Sequence, residues 1–208
     1  MKRQFDKRPS KPRNRKPVLV IMGEGANVTE LQYFSHFNKQ NGKYSIQPHR
    51  AGHVTDPVGL VKDAEKYWED NQLANELGDK IYIFIDIDCN QDRIRKIREA
   101  KKASKNVKFI FSNPTFEIWY LLHFEYTTRA FQNGTELIQM LKKKYIPEYE
   151  KSLDVSAILE PNLDVAIMRA KQLKKFHEKN KIDWPSIDCN PMTDVFELVE
   201  EIQSSIRN

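Results

Sequence analysis

Val18-Leu19-Val20-Ile21-Met22-Gly23-Glu24-Gly25 is the stretch whose reading decides the fold. Its uninterrupted apolar, β-branched-rich run has the pattern of a strand buried on both faces, as in a parallel sheet covered by helices. Gly23 and Gly25 then frame a sharp turn that carries Glu24. Asn27 to Glu30 has the spacing of a capping box, Asn at the cap and Glu at the third helical position. Leu31, Phe34 and Phe37 continue at helical spacing to about residue 40. The segment therefore reads as strand, turn and helix, with a glutamate at the strand's carboxyl end.

The same alternation recurs downstream. Tyr44-Ser45-Ile46-Gln47-Pro48 alternates like a short, partly exposed strand. Asp56-Pro57 marks a helix start, and Val58, Val61, Ala64, Tyr67 and Trp68 form its apolar face. Ile81-Tyr82-Ile83-Phe84-Ile85 is again apolar on both faces and predicts a central strand, closed by Asp86-Ile87-Asp88. A basic amphipathic helix through Ile94, Ile97 and Ala100 follows, and then a strand at Val107-Lys108-Phe109-Ile110-Phe111. Strand–helix alternation over residues 17–125 predicts an α/β layer built on a mostly parallel sheet flanked by helices. Beyond residue 125 the periodicity is helical, with Asn190-Pro191 opening a last helix through Val195, Leu198, Val199, Ile202 and Ile206. Residues 126–208 read as a helical extension packed on the core.

Composition narrows the class. The chain has 208 residues, 39% hydrophobic and 30% charged, which fits a soluble globular protein long enough to bury a sizeable core. No apolar run approaches the ~20 residues of a membrane span, and the basic N-terminus is not followed by an apolar signal core. Cys89 and Cys189 are too few for a disulfide framework, so a reducing, cytoplasmic setting is expected. The net charge of +5 is uneven. Residues 1–16 carry Lys2, Arg3, Lys7, Arg8, Lys11, Arg13, Arg15 and Lys16 against Asp6, eight minus one or +7, which leaves −2 for the other 192 residues. This Pro-containing arm without apolar periodicity is expected to be disordered in isolation. It is either a phosphate-neutralising arm, with Lys7, Arg8, Lys11, Arg13, Arg15 and Lys16 contacting nucleic acid, or a solubilising tail.

The candidate chemistry is acidic. In parallel α/β sheets ligands bind outside the carboxyl ends of the strands, and Glu24, the Asp86/Asp88 pair and Ser112-Asn113-Pro114 all fall at such ends. Two carboxylates two residues apart on a strand point the same way, roughly 7 Å apart, and can share or flank divalent ions. Mg²⁺ takes one or two carboxylates and completes its shell with water and substrate phosphate. Glu24 could complete such a site as ligand or as general base. The competing reading is that Asp86 and Asp88 simply terminate a strand, with Asp88 capping the next helix. Glu117 lies in Phe116-Glu117-Ile118-Trp119-Tyr120-Leu121-Leu122-His123-Phe124, apolar nearly all round, where a carboxylate is costly unless paired or metal-bound. With Asn113 as N-cap and Pro114 at the first position, the helix dipole would favour its ionised form. A structural salt bridge is the alternative. Glu30 is explained by capping, and His123 reads as a satisfied core histidine. Cys89 and Cys189 lack metal-ligand spacing. Gly23-x-Gly25 lacks the later glycine of a dinucleotide fingerprint and there is no Gly-Lys-Ser/Thr phosphate loop, which disfavours dehydrogenase and ATPase readings.

On these segments the chain resembles the RloB-like family, a group related to the Toprim metal-binding fold. The resemblance rests on Glu24-Gly25 with Thr29-Glu30 and Tyr33-Phe34, on Asp86-x-Asp88, and above all on Ser112-Asn113-Pro114-x-Phe116-Glu117-x-Trp119-x-Leu121-Leu122-His123-Phe124. Asn190-Pro191-x-Thr193-x-Val195 is similar to the family's closing motif. The resemblance implies a Mg²⁺- or Mn²⁺-dependent nuclease for DNA or RNA in a restriction or antiphage-defence setting. It places Glu24, Asp86 and Asp88 in metal and acid–base roles, with Glu117 supporting them. Similarity to defence systems that pair a Toprim nuclease with an ATPase makes an ATPase a possible partner protein. Ala26-Asn27-Val28 stands where the family commonly has a Glu-Lys pair, a departure that bears on substrate contacts near the turn. The alternative function is a non-catalytic nucleic-acid-binding or partner-docking module on the same scaffold.

Overall fold

The computed structural model describes residues 15–24, 29–40 and 42–206. The arm up to Asn14 and the expected cap Asn27 lie outside them. The described residues form a five-stranded sheet in the order β2-β1-β3-β4-β5, with β1 Val18–Gly23, β2 Ser45–Arg50, β3 Lys80–Asp86, β4 Val107–Asn113 and β5 Met192–Thr193. The first four strands are mutually parallel, and β5 runs antiparallel to β4. Between them run α1 Thr29–Ser35, α2 Pro57–Asp70, α3 Gln91–Ala103 and α4 Glu117–Phe124. α5 Gly134–Lys144, α6 Ser156–Leu159, α7 Leu163–Lys179 and α8 Val195–Ile206 complete the chain. The α/β class with a mostly parallel sheet is as expected, and no helix of the described residues is long and apolar enough to cross a membrane.

Period-two alternation sorts the strand side chains into two cores. Leu19 and Ile21 of β1, with Tyr82 and Phe84 of β3, pack under α1, α4, α7 and α8. Val18, Val20 and Met22, with Ile81, Ile83 and Ile85, face α2 and α3. Both faces are covered, and this is why β1 and β3 read as unbroken apolar runs. Each fully buried aliphatic such as Leu19 or Ile83 contributes about 1.5–3 kcal/mol. Asp56 caps α2 as expected, its carboxylate accepting from the backbone N–H groups of Val58 and Gly59.

The last third does more than add helices. Met192 and Thr193 pair with Asn113 and Ser112, and their hydroxyls meet at 2.8 Å between Ser112 and Thr193. The last helix therefore starts at Val195 rather than at Asn190-Pro191. A two-residue strand carries no periodicity that a sequence could display. Asp194 joins the two pieces: its N–H donates to the Phe111 carbonyl at 2.9 Å and its carboxylate accepts from the Trp184 indole.

Candidate acidic site at the carboxyl edge of the sheet

Because β1, β3 and β4 are parallel, their carboxyl ends and the starts of the helices that follow share one edge. Glu24 directly follows β1, Asp86 closes β3, Glu30 lies in the first turn of α1, and Glu117 is the first residue of α4. Met22 lies level with Ile83, so β3 carries Asp86 three residues further toward that edge. The chain thus delivers carboxylates from three neighbouring strand–helix junctions to one place.

Asp88 arrives there differently from the strand-pair expectation. β3 ends at Asp86, and Asp88 and Cys89 both take left-handed backbone, with φ of 54° and 53°. The turn is laid along β4 by two bonds, Ile87 N–H to Ser112 at 2.8 Å and Asp88 N–H to Pro114 at 2.9 Å. Strand alternation therefore does not set the Asp86–Asp88 relation; a turn does. Aspartate is among the few residues that tolerate this region. Nor does Asp88 cap α3: Asn90 does, accepting from the N–H of Asp92 at 2.9 Å.

Asn113 is not the cap of α4 either. It remains in β4, and its amide donates to the carbonyls of Ser186, Ile187 and Cys189 while its oxygen accepts from Cys89 N–H. The helix begins at Glu117, after a turn closed by Ile118 N–H to the Thr115 carbonyl. Glu117 is 1% exposed. Its Oε1 accepts from the Tyr149 hydroxyl at 2.9 Å and lies 4.0 Å from Lys151 Nζ. Its Oε2 is buried with no hydrogen-bond partner, and so is Oε2 of Glu30. Buried carboxylate oxygens without partners are costly, since desolvation is unrepaid.

The electrostatics bind these residues into one unit. Burial first, and then the charges of Glu30, Glu117, Asp88 and Glu24 in that order, push Asp86 well above the ordinary aspartate range. Burial and the charge of Glu117 raise Glu30 to about 7, against the pull of Lys151. Burial raises Glu24 to about 7 although Arg93 draws it down. Asp88 is raised as well, chiefly by burial, with Arg93 and Lys151 opposing. The inner group is thus Asp86, Glu30 and Glu117, with Glu24 and Asp88 further out beside Arg93. Five carboxylates face two cations, a deficit of three positive charges when all are ionised.

Four contributors were not legible as site residues in the sequence. Glu30 fits a capping box equally well. Arg93 is one basic residue among many on α3, yet its Nε donates to the Asp86 carbonyl at 2.6 Å and its Nη2 to Glu24. Tyr149 and Lys151 come from the segment between α5 and α6, which is fastened by the Thr29 hydroxyl donating to the Lys151 carbonyl at 2.9 Å.

Other candidates fall elsewhere. His123 is buried, bonded through Nδ1 to the Trp119 carbonyl at 2.9 Å, and burial lowers it to about 4, as a neutral core histidine. Cys89 bonds the Asn190 amide, a structural role. His53 is exposed in the turn after β2. Arg15 and Lys16 precede β1, at the opposite edge of the sheet. Arg15 is a bidentate partner of Asp79 at 2.7 and 2.6 Å, and Lys16 donates to the Gly42 carbonyl at 2.8 Å. Lys7, Arg8, Lys11 and Arg13 lie outside the described residues.

Among the described residues no three His, Cys, Asp or Glu side chains stand in an assembled metal-ligand group. Glu24 is turned onto Arg93 and Glu117 onto Tyr149. The donor chemistry nevertheless fits a hard divalent cation: all-oxygen donors, excess negative charge, and two buried carboxylate oxygens lacking any partner.

No curated protein and no solved structure matches the chain. One family model does match, that of the RloB-like protein, over residues 19–202. That span runs from β1 into α8 and includes every member of the acidic cluster, so the chain belongs to the RloB-like family.

Proposed function

We propose that this chain is a divalent-cation-dependent phosphodiesterase acting on DNA or RNA, with its chemistry at the carboxyl edge of the sheet. The single observation that carries the reading is the inner trio Asp86, Glu30 and Glu117. Asp86 feels the charges of Glu30 and Glu117, Glu30 feels that of Glu117, and one buried oxygen on each of Glu30 and Glu117 has no partner. A fold does not retain such mutual repulsion for stability, since replacing buried charge by packed apolar groups is often neutral or stabilising. Strongly perturbed acids in a cluster mark functional sites.

In this reading Asp86, Glu30 and Glu117 hold the cation, with Glu24 and Asp88 within reach as outer ligands. A bound Mg²⁺ or Mn²⁺ would neutralise a phosphate and acidify water. Glu24 would join the cation as an outer ligand or act as general base for the attacking water. Tyr149 and Lys151 hold the Glu117 carboxylate in place from outside. The Lys and Arg side chains of the basic arm supply phosphate contacts.

The family resemblance supports an antiphage-defence setting, and similarity to defence systems that pair a Toprim nuclease with an ATPase suggests such a partner, which isolation of the native complex would test. The alternative, a non-catalytic nucleic-acid-binding module, draws support from the anchoring of the arm away from the acidic edge. The discriminating experiment is cleavage of DNA and RNA with Mg²⁺, Mn²⁺ or EDTA, beside Glu24→Gln and Asp86→Asn. Metal-dependent cleavage abolished by Asp86→Asn is expected. Salt-sensitive binding without turnover favours the alternative.

A further inference from the structure

Arg93 sits where an outer cation ligand sphere would be expected. It belongs to the first turn of α3, and its guanidinium touches three acidic-edge groups at once. Nε donates to the Asp86 carbonyl at 2.6 Å and lies 3.7 Å from the Asp88 carboxylate, while Nη2 donates to Glu24. The side chains of Arg93 and Glu24 are 18% and 15% exposed, so this is no solvated surface pair.

We propose that Arg93 is a resident counter-cation that holds Glu24 in place of a divalent ion and must release that carboxylate before the ion is fully bound. The inference rests on the divalent-cation reading above. A guanidinium cannot shed its proton in a protein, so it cannot accommodate a neighbouring dication by becoming neutral. It must either move or repel the ion. The arrangement also divides the cluster. Arg93 serves its outer half, Glu24 and Asp88, while the inner half is left with two partnerless oxygens on Glu30 and Glu117. A cation therefore meets at the inner trio two partnerless oxygens, with only Lys151 4.0 Å from Glu117 Oε1 opposing it, and competes with Arg93 for Glu24. The Nε bond to the Asp86 carbonyl gives the side chain a tether that survives the loss of Glu24, so release is a local swing about that bond.

The test is calorimetric titration of Mn²⁺ alone into the full chain, comparing wild type with Arg93→Gln and Arg93→Lys, alongside thermal melts in EDTA and in saturating Mn²⁺. Arg93→Gln should bind Mn²⁺ about tenfold more tightly, equivalent to about 1.4 kcal/mol. Its melting temperature should fall below wild type in EDTA and match it in Mn²⁺. Arg93→Lys keeps a charge but lacks the fork that spans Glu24 and the Asp86 carbonyl. Its affinity should lie between the two, and it decides the matter if Arg93→Gln does not fold. Equal or weaker Mn²⁺ affinity in both variants, with wild type binding, overturns the role of Arg93 and leaves the cation reading standing. Absence of Mn²⁺ binding in wild type and variants alike overturns both.

Discussion

The Tyr149 hydroxyl donates to Oε1 of Glu117 at 2.9 Å, while Oε2 of the same carboxylate is buried without a partner. A segment beyond α5 thus half-satisfies an acid at the start of α4, and the other half is left without a hydrogen-bond partner. Glu117→Gln keeps an acceptor for Tyr149 and removes the repulsion that Glu117 exerts on Asp86 and Glu30. We expect the metal-free protein to gain roughly 1 kcal/mol of stability, by relief of like-charge repulsion. Cation-dependent activity should fall by at least about tenfold, the scale of 1.4 kcal/mol. Urea denaturation in EDTA, read beside a cleavage assay, checks both signs. A loss of stability would place Glu117 in a purely structural role.

The raised acids fix a pH dependence. Glu24 and Glu30 titrate near 7 in the fold against an ordinary 4.5. A carboxyl raised in the folded state binds more protons folded than unfolded. Its stabilising contribution is complete below about 4.5 and is lost as pH rises toward 7. His123, lowered to about 4, acts in the opposite sense, its contribution being lost as pH falls from 6.5 toward 4. The difference between wild type and Glu30→Gln isolates the acid. Metal-free wild type should lose roughly 1–3 kcal/mol relative to the variant between pH 5 and 7.5. Saturating Mn²⁺ should flatten that difference. Melts in EDTA and Mn²⁺ across this range provide the measurement.

Much of this edge was legible in the sequence, for a definite reason. Val18–Met22 and Ile81–Ile85 are buried on both faces, so their unbroken apolar runs announce central parallel strands, and acids just past such runs fall at the ligand-binding edge. Glu24, Asp86 and Asp88 are legible at that edge in this way, and Glu117 as a carboxylate in a helix that is apolar nearly all round. That logic failed where local spacing had two explanations or none. Glu30 satisfies a capping pattern and an acidic site with the same residue number. Asp88 is delivered by a left-handed turn, not by alternation. Tyr149, Lys151 and β5 reach the edge through contacts across 32 residues or more, which no periodicity records.

The anchor of the basic arm separates structure from partner binding. Asp79 is buried and accepts from Arg15, from Val18 N–H at 2.8 Å and from Ala74 N–H at 2.9 Å. Asp79→Ala strands two backbone donors and should cost about 2–4 kcal/mol in urea denaturation. Nucleic-acid binding by the variant, measured below its unfolding transition, should be unchanged.

Deleting residues 1–14 should leave stability unchanged and weaken binding. These residues carry Lys2, Arg3, Lys7, Arg8, Lys11 and Arg13. At roughly 0.9 counterions released per phosphate contact, the slope of log affinity against log salt on duplex DNA should shrink by no more than about 5. An unaltered slope would assign the arm a solubilising role only.

The central claim is that the carboxylates at this edge form a divalent-cation site. A crystal soaked in Mn²⁺ and measured for anomalous scattering tests it most directly. The account predicts an anomalous peak bounded by Asp86, Glu30 and Glu117, with Glu24 turned toward it and the Arg93 guanidinium withdrawn from Glu24. A saturating soak that leaves this edge without a peak, with Arg93 still bonded to Glu24, would contradict it.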